Sequence, residues 1–159
     1  MRTRQRPSSA DMLDLQEGRW PVPLLDDAGI AAVLRTARRI ALIGASSRPD
    51  RPSLDVFRYL RRAGYDVVPI HPTETAVDGV PAFPSLVAAV AASGPVDIVN
   101  VFRRPDACAE HAREAVATGA ACLWLQLGVV NWAAARIAAA GGLSVVMDRC
   151  TAIEHARQS

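Results

Sequence analysis

Arg39-Ile40-Ala41-Leu42-Ile43-Gly44-Ala45-Ser46-Ser47-Arg48-Pro49-Asp50-Arg51-Pro52-Ser53 is the stretch that decides the fold. Ile40 to Ile43 is an apolar run that reads as a buried strand. It breaks at Gly44 into a small, polar turn rich in Ser, Arg and Pro. Leu54 to Ala63 then reads as an amphipathic helix, with Leu54, Phe57 and Leu60 at helical spacing. Strand, turn and helix in this order offer an anion backbone N–H groups and the positive end of a helix. Gly44 has no Cβ and lets a ligand come close to the chain. Ser46, Ser47 and Ser53 add hydroxyl donors, and Arg48 and Arg51 add fixed charge. We read the stretch as the pyrophosphate site of a nucleotide-containing cofactor. It is neither G-x-G-x-x-G nor a P-loop, because no Gly-Lys-Ser/Thr follows. The blander reading is the first turn of an open α/β sheet that binds nothing.

Outward from this stretch, the same alternation repeats. Asp26-Asp27 caps a helix through about Thr36 that precedes the first strand. Tyr65 to Ile70 is a second strand, closed by His71-Pro72. Asp78-Gly79 makes a turn, and Ser85 caps a short helix through Ala92. Val96 to Phe102 is the third strand, and Pro105 starts a helix that ends at Gly119. Ala121 to Leu127 is the fourth strand, and Asn131 caps the helix that follows. Leu143 to Met147 is the fifth, and Thr151 to Ser159 forms a terminal turn or helix. Each strand is a short apolar run rather than a polar/apolar alternation, the third interrupted only by Asp97 and Asn100, so both sheet faces are covered and the strands are parallel. The expected fold is α/β: a doubly wound, Rossmann-like, five-stranded parallel sheet with helices on both faces, in one domain, with order 3-2-1-4-5. Residues 1–25 are expected as an N-terminal extension, disordered at its start and docked through Trp20 or Leu24. Residues 26–159 are the Rossmann-like domain.

Composition narrows the function classes. A chain of 159 residues, half of them hydrophobic, suits one domain with a substantial core. The net charge is +2, with no basic run interleaved with aromatics, which argues against nucleic-acid binding. No segment reaches the ~18 apolar residues of a membrane span. Cys108, Cys122 and Cys150 are odd in number and far apart, so no C-x-x-C metal or redox motif exists. Free thiols fit a reducing cytoplasm.

In an open parallel sheet the ligand lies at the carboxyl ends of the strands. Those ends read Gly44-Ala45-Ser46, His71-Pro72-Thr73, Phe102-Arg103-Arg104, Gln126-Leu127-Gly128 and Asp148-Arg149-Cys150. A NAD site usually carries Asp or Glu at the second of these ends. Here His71-Pro72 stands there and Glu74 comes slightly late. That favours a ribose bearing phosphate, as in NADP or coenzyme A.

Several of these motifs together carry a family resemblance. Ile43-Gly44-Ala45-Ser46, Arg51-Pro52-Ser53, the run Gly64 to Pro72, Val101-Phe102-Arg103, Trp124 to Asn131 and Val145 to Cys150 resemble the small bacterial CoA-binding domain proteins. These are Rossmann-like relatives of the CoA-binding domain of the succinyl-CoA synthetase alpha subunit. The resemblance spans about residues 38 to 155. It implies binding of coenzyme A or an acyl-CoA without an assigned reaction, and it allows a homodimer. Where the family usually has Asn before the proline at the second strand end, this chain has His71. The synthetase's phosphorylated histidine lies in a further domain that has no counterpart in this sequence, so that activity does not carry over.

The candidate contacts are therefore Gly44, Ala45, Ser46, Arg51, Pro52, Ser53, His71, Pro72, Phe102, Arg103, Arg104, Gln126 and Gly128, with neither catalytic nor metal-binding residues assigned. Arg103 and Arg104 suit phosphates, or else a surface carboxylate. Cys108 is expected in the core, Cys122 buried and inert, and His111 solvated. Cys150 is expected on the ligand rim rather than in the core, with Asp148 pairing Arg149 beside it. The competing readings are an NADP-dependent oxidoreductase, an acyl-CoA enzyme using Cys150, and an interaction module that no longer binds a nucleotide.

Overall fold

Strands whose side chains are buried on both faces have to be covered twice, and the helices do this. The computed structural model describes residues 9–158. In chain order, α1 (Ser9–Gln16) and α2 (Asp27–Thr36) precede β1 (Arg39–Ile43). Next come α3 (Pro52–Arg62), β2 (Asp66–Ile70), β3 (Ala76–Val77), β4 (Val80–Pro81) and α4 (Leu86–Ser93). Then follow β5 (Ile98–Val101), a 3-10 turn (Pro105–Ala107), α5 (Cys108–Ala117), β6 (Cys122–Leu125), α6 (Trp132–Ala140), β7 (Ser144–Val146) and α7 (Thr151–Gln158). Asp26, Ser85 and Asn131 cap α2, α4 and α6 by accepting from Gly29, Ala88 and Ala134 N–H.

The five long strands form one parallel sheet, and the pleat sorts their side chains. Ala41, Ile43, Val99, Val101, Leu123 and Leu125 face α4, α5 and α6. Ile40, Leu42, Ile98, Cys122 and Trp124 face α2, α3 and α7. β3 and β4 form a separate small hairpin about Asp78-Gly79, where both residues have positive φ, as a tight hairpin turn requires.

The strand order corrects the sequence reading. The neighbours are β2-β1-β5-β6-β7, so the five strands stand as 2-1-3-4-5 and not 3-2-1-4-5. β2 is therefore an edge strand. Pro69 gives the physical reason: it has no N–H to donate, and proline is confined to sheet edges and bulges. The outer side of β2 is closed by Phe83, whose N–H donates to Pro69 O at 3.0 Å and whose carbonyl accepts from His71 N–H at 2.9 Å. The reversal of strand order thus falls between β1 and β5. Gly44, at φ +89°, lies against Phe102; a Cβ there would collide with the Phe102 carbonyl oxygen.

The segment before α2 is more ordered than expected. The disordered start falls partly on residues 1–8, outside the described residues. From residue 9 the chain is helical, and Met12, Leu15, Val22 and Leu24 pack on the core. Leu24 docks as expected. Trp20 does not: it is 46% exposed, with its indole N–H donated to Leu15 O. Leu25 N–H donates to Val145 O at 3.0 Å, covering the free edge of β7.

Candidate functional site

Parallel strands point their carboxyl ends the same way, so the polar residues that follow them gather at one rim. There the reversal between β1 and β5 opens a cleft of about 1190 Å³. Drug-sized pockets measure ~300–1,000 Å³, so this cleft suits a longer ligand. Every candidate contact read from the sequence lines it. Gly44, Ala45 and Ser46 come from the first turn, and Arg51, Pro52 and Ser53 from the start of α3. His71 and Pro72 follow β2, and Phe102, Arg103 and Arg104 follow β5. Gln126 and Gly128 follow β6.

The first turn does not offer its early backbone donors to a ligand as the sequence suggests: Gly44 and Ala45 N–H are both given to Ile70 O, at 3.1 and 3.2 Å. Ser46 is buried and its hydroxyl accepts from Arg48 N–H at 3.1 Å, which fixes the turn. Ser53 is 3% exposed in the first turn of α3, and its hydroxyl has no hydrogen-bond partner among the described residues. Buried hydroxyls are nearly always satisfied. Arg51 and Arg103 have no carboxylate partner among the described residues, whereas Arg48 pairs with Asp50 at 3.0 Å and Arg104 lies 3.7 Å from Asp106.

His71 is placed by its own loop. Its Nδ1 accepts from the N–H groups of Thr73 at 3.1 Å and Glu74 at 2.8 Å. An Asn side-chain oxygen at the same position makes the same kind of turn. The proton therefore sits on Nε2, which lies 3.4 Å from Glu74 Oε2. This loop carries Glu74 back onto the first turn. Its carboxylate accepts from the Ser47 hydroxyl, from Ser47 N–H at 3.2 Å and from the Ser46 hydroxyl at 3.4 Å. The Ser47 hydroxyl above all, then its N–H and the neighbouring His71, hold Glu74 below the usual carboxylate value. Glu74 therefore lines the cleft with its carboxylate held by the first turn.

Other expectations are corrected. His111 is not solvated: it lines the cleft from α5, with Nδ1 2.9 Å from Glu114 Oε1. Arg149 does not pair with Asp148 but with Asp27 at 2.9 Å and Glu154 at 3.3 Å. Asp148, at φ 60°, instead accepts from Gly128 N–H at 2.7 Å, so that N–H is already engaged. Cys150 lines the cleft yet is 9% exposed and belongs to the core packing. Cys108 and Cys122 are buried, and burial pushes both thiols up to about 12. Trp124 is wholly buried and donates its indole N–H to Arg149 O at 2.7 Å. Among the described residues no cluster of His, Cys, Asp and Glu could hold a metal ion. None of the described helices is long and apolar enough to cross a membrane.

Comparison with known proteins agrees with this geometry. The family model described as CoA binding domain matches residues 38–156. The uncharacterized protein YneT of Bacillus subtilis (strain 168) is 40% identical over 129 residues, 81% of this chain and 93% of that protein. A hypothetical protein from Pyrococcus horikoshii OT3 has a similar structure, with TM-score 0.79 and 34% identity over 84% of this chain and 92% of that one. The Thermus thermophilus protein cell-free ID.343 gives TM-score 0.78 and 36% identity, covering 85% of this chain and all (100%) of that one.

Proposed function

Because the chain belongs to the CoA-binding domain family, we propose that its cleft binds coenzyme A or an acyl-CoA, with nucleotide phosphate at the first turn. The observation that carries this reading is the buried Ser53 hydroxyl without a partner. It sits at the positive end of α3, where an anion is favoured and a hydroxyl donor would be satisfied by a phosphate oxygen. The guanidinium groups of Arg51 and Arg103, which have no carboxylate partner among the described residues, supply charge for the same phosphates. Cleft size supports a ligand as long as CoA.

Calorimetry with CoA, NADP and NAD tests the choice. CoA is expected to bind tightest. Ser53→Ala should weaken CoA by about tenfold while leaving the stability of the free protein unchanged or raised, since an unsatisfied buried group is removed. Tighter binding of NADP or NAD would reverse the ranking. A second reading, an acyl-CoA enzyme, is supported by the Cys150 thiol in the cleft wall; acyl transfer that disappears in Cys150→Ser would establish it.

A further inference from the structure

Gln126 follows β6, lines the cleft and is only 7% exposed. The way its amide faces follows from a residue that never reaches the cleft. Asn100 lies in β5 and is wholly buried. One of its side-chain atoms is 3.3 Å from the Trp124 carbonyl oxygen, which can only accept, so that atom is the amide nitrogen. The other, Oδ1, accepts the Thr151 hydroxyl at 3.0 Å. The same Asn100 nitrogen is 3.2 Å from the Gln126 amide, so Gln126 presents Oε1 to it. Gln126 Nε2 is left with two N–H groups and no protein acceptor among the described residues. We infer that Gln126 is a fixed donor that reads a carbonyl oxygen on the pantetheine arm of the ligand, and that Asn100 is its positioning residue.

This inference rests on the CoA reading and deepens it. Ser53 and Arg51 follow β1 and Arg103 follows β5, whereas Gln126 follows β6, one strand further along the rim. At ~4.8 Å per strand it stands about 10 Å from the first turn, on the side away from the phosphate held there. Leu127 follows Gln126 directly and lines the same cleft, as do Phe102 and Cys150. A neutral amide donor suits an amide or thioester carbonyl better than a phosphate. A Gln free to flip could present either its oxygen or its nitrogen; the Trp124 carbonyl, acting through Asn100, removes that choice.

The test compares CoA, acetyl-CoA and adenosine 3′,5′-bisphosphate, which lacks the arm, by calorimetry. Gln126→Met keeps side-chain length without the donor. It should weaken CoA about tenfold and leave the bisphosphate unchanged. Equal losses for CoA and acetyl-CoA assign the contact to a pantetheine amide; a larger loss for acetyl-CoA assigns it to the thioester carbonyl. Asn100→Leu has no side-chain donor for Trp124 or Gln126, so it should cause the same selective loss. In a Gln126→Met background it should cause no further selective loss, which a merely structural role of Asn100 would not produce. If Asn100→Leu fails to fold, Gln126→Met decides alone. Equal weakening of CoA and the bisphosphate, or unchanged CoA binding in Gln126→Met, overturns the inference. If the parent binds neither CoA nor the bisphosphate, the CoA reading fails first and takes this one with it.

Discussion

His71 shows how one residue type can do another's work. Two backbone N–H groups converge on its Nδ1, where an Asn oxygen would serve equally. His71→Asn should therefore keep both the thermal stability and the ligand affinity of the parent. His71→Ala should cost about 1 kcal/mol and release the loop that carries Glu74. Differential scanning calorimetry of the two variants separates the outcomes, and equal losses in both would deny the acceptor role. Glu74 itself responds to acid. Its folded pKa is lowered, chiefly by the Ser47 hydroxyl, so its stabilisation is present above the unfolded carboxylate value. That stabilisation is lost as pH falls through the lower, folded one. Urea melts of the parent and Glu74→Gln should differ at neutral pH and converge in acid.

Among the elements, β6 and α5 bury the two cysteines whose thiols are raised to about 12. Unfolding exposes them to the ordinary cysteine value of ~8.5. The folded state then holds protons that the unfolded chain has lost, so this contribution is whole below ~8.5 and disappears as pH rises toward 12. Denaturant melts from pH 8 to 11 should show the decline, and Cys108→Ala/Cys122→Ala should flatten it; an unaltered slope would place its origin elsewhere. At this scale the sequence was readable where the signal is local. Apolar runs marked the strands, Asp26, Ser85 and Asn131 marked helix starts, and residues just after strands marked the cleft. Two things were not local. Strand order depends on which edge is free, and in the sequence only Pro69 bears on it. Glu74 and His111 reach the cleft only through tertiary packing, which no periodicity encodes. The Gln126 donor was legible as a residue and not as a role, because its orientation comes from Asn100 on another strand.

For the whole molecule, the N-terminal segment is part of the core's cover. Trp132 at the start of α6 donates its indole N–H to Asp11 O at 3.1 Å, while Met12 and Leu15 pack on the same side. Trp132→Phe should lower stability by about 1 kcal/mol through the lost bond, beyond any packing change. A chain lacking residues 1–18 should lose more, since it also uncovers the apolar surface beneath α1. Urea denaturation measures both, and a truncated chain as stable as the parent would show that α1 is dispensable. The bond from Leu25 to Val145 has a consequence in time. A ribosome releases residue 25 long before residue 145, so the early segment has to wait for the strand whose edge it covers. Closure joins segments far apart in sequence, a contact of a slow kind. Until it forms, β7 presents an unpaired edge to its neighbours, and closure is what withdraws that edge from aggregation.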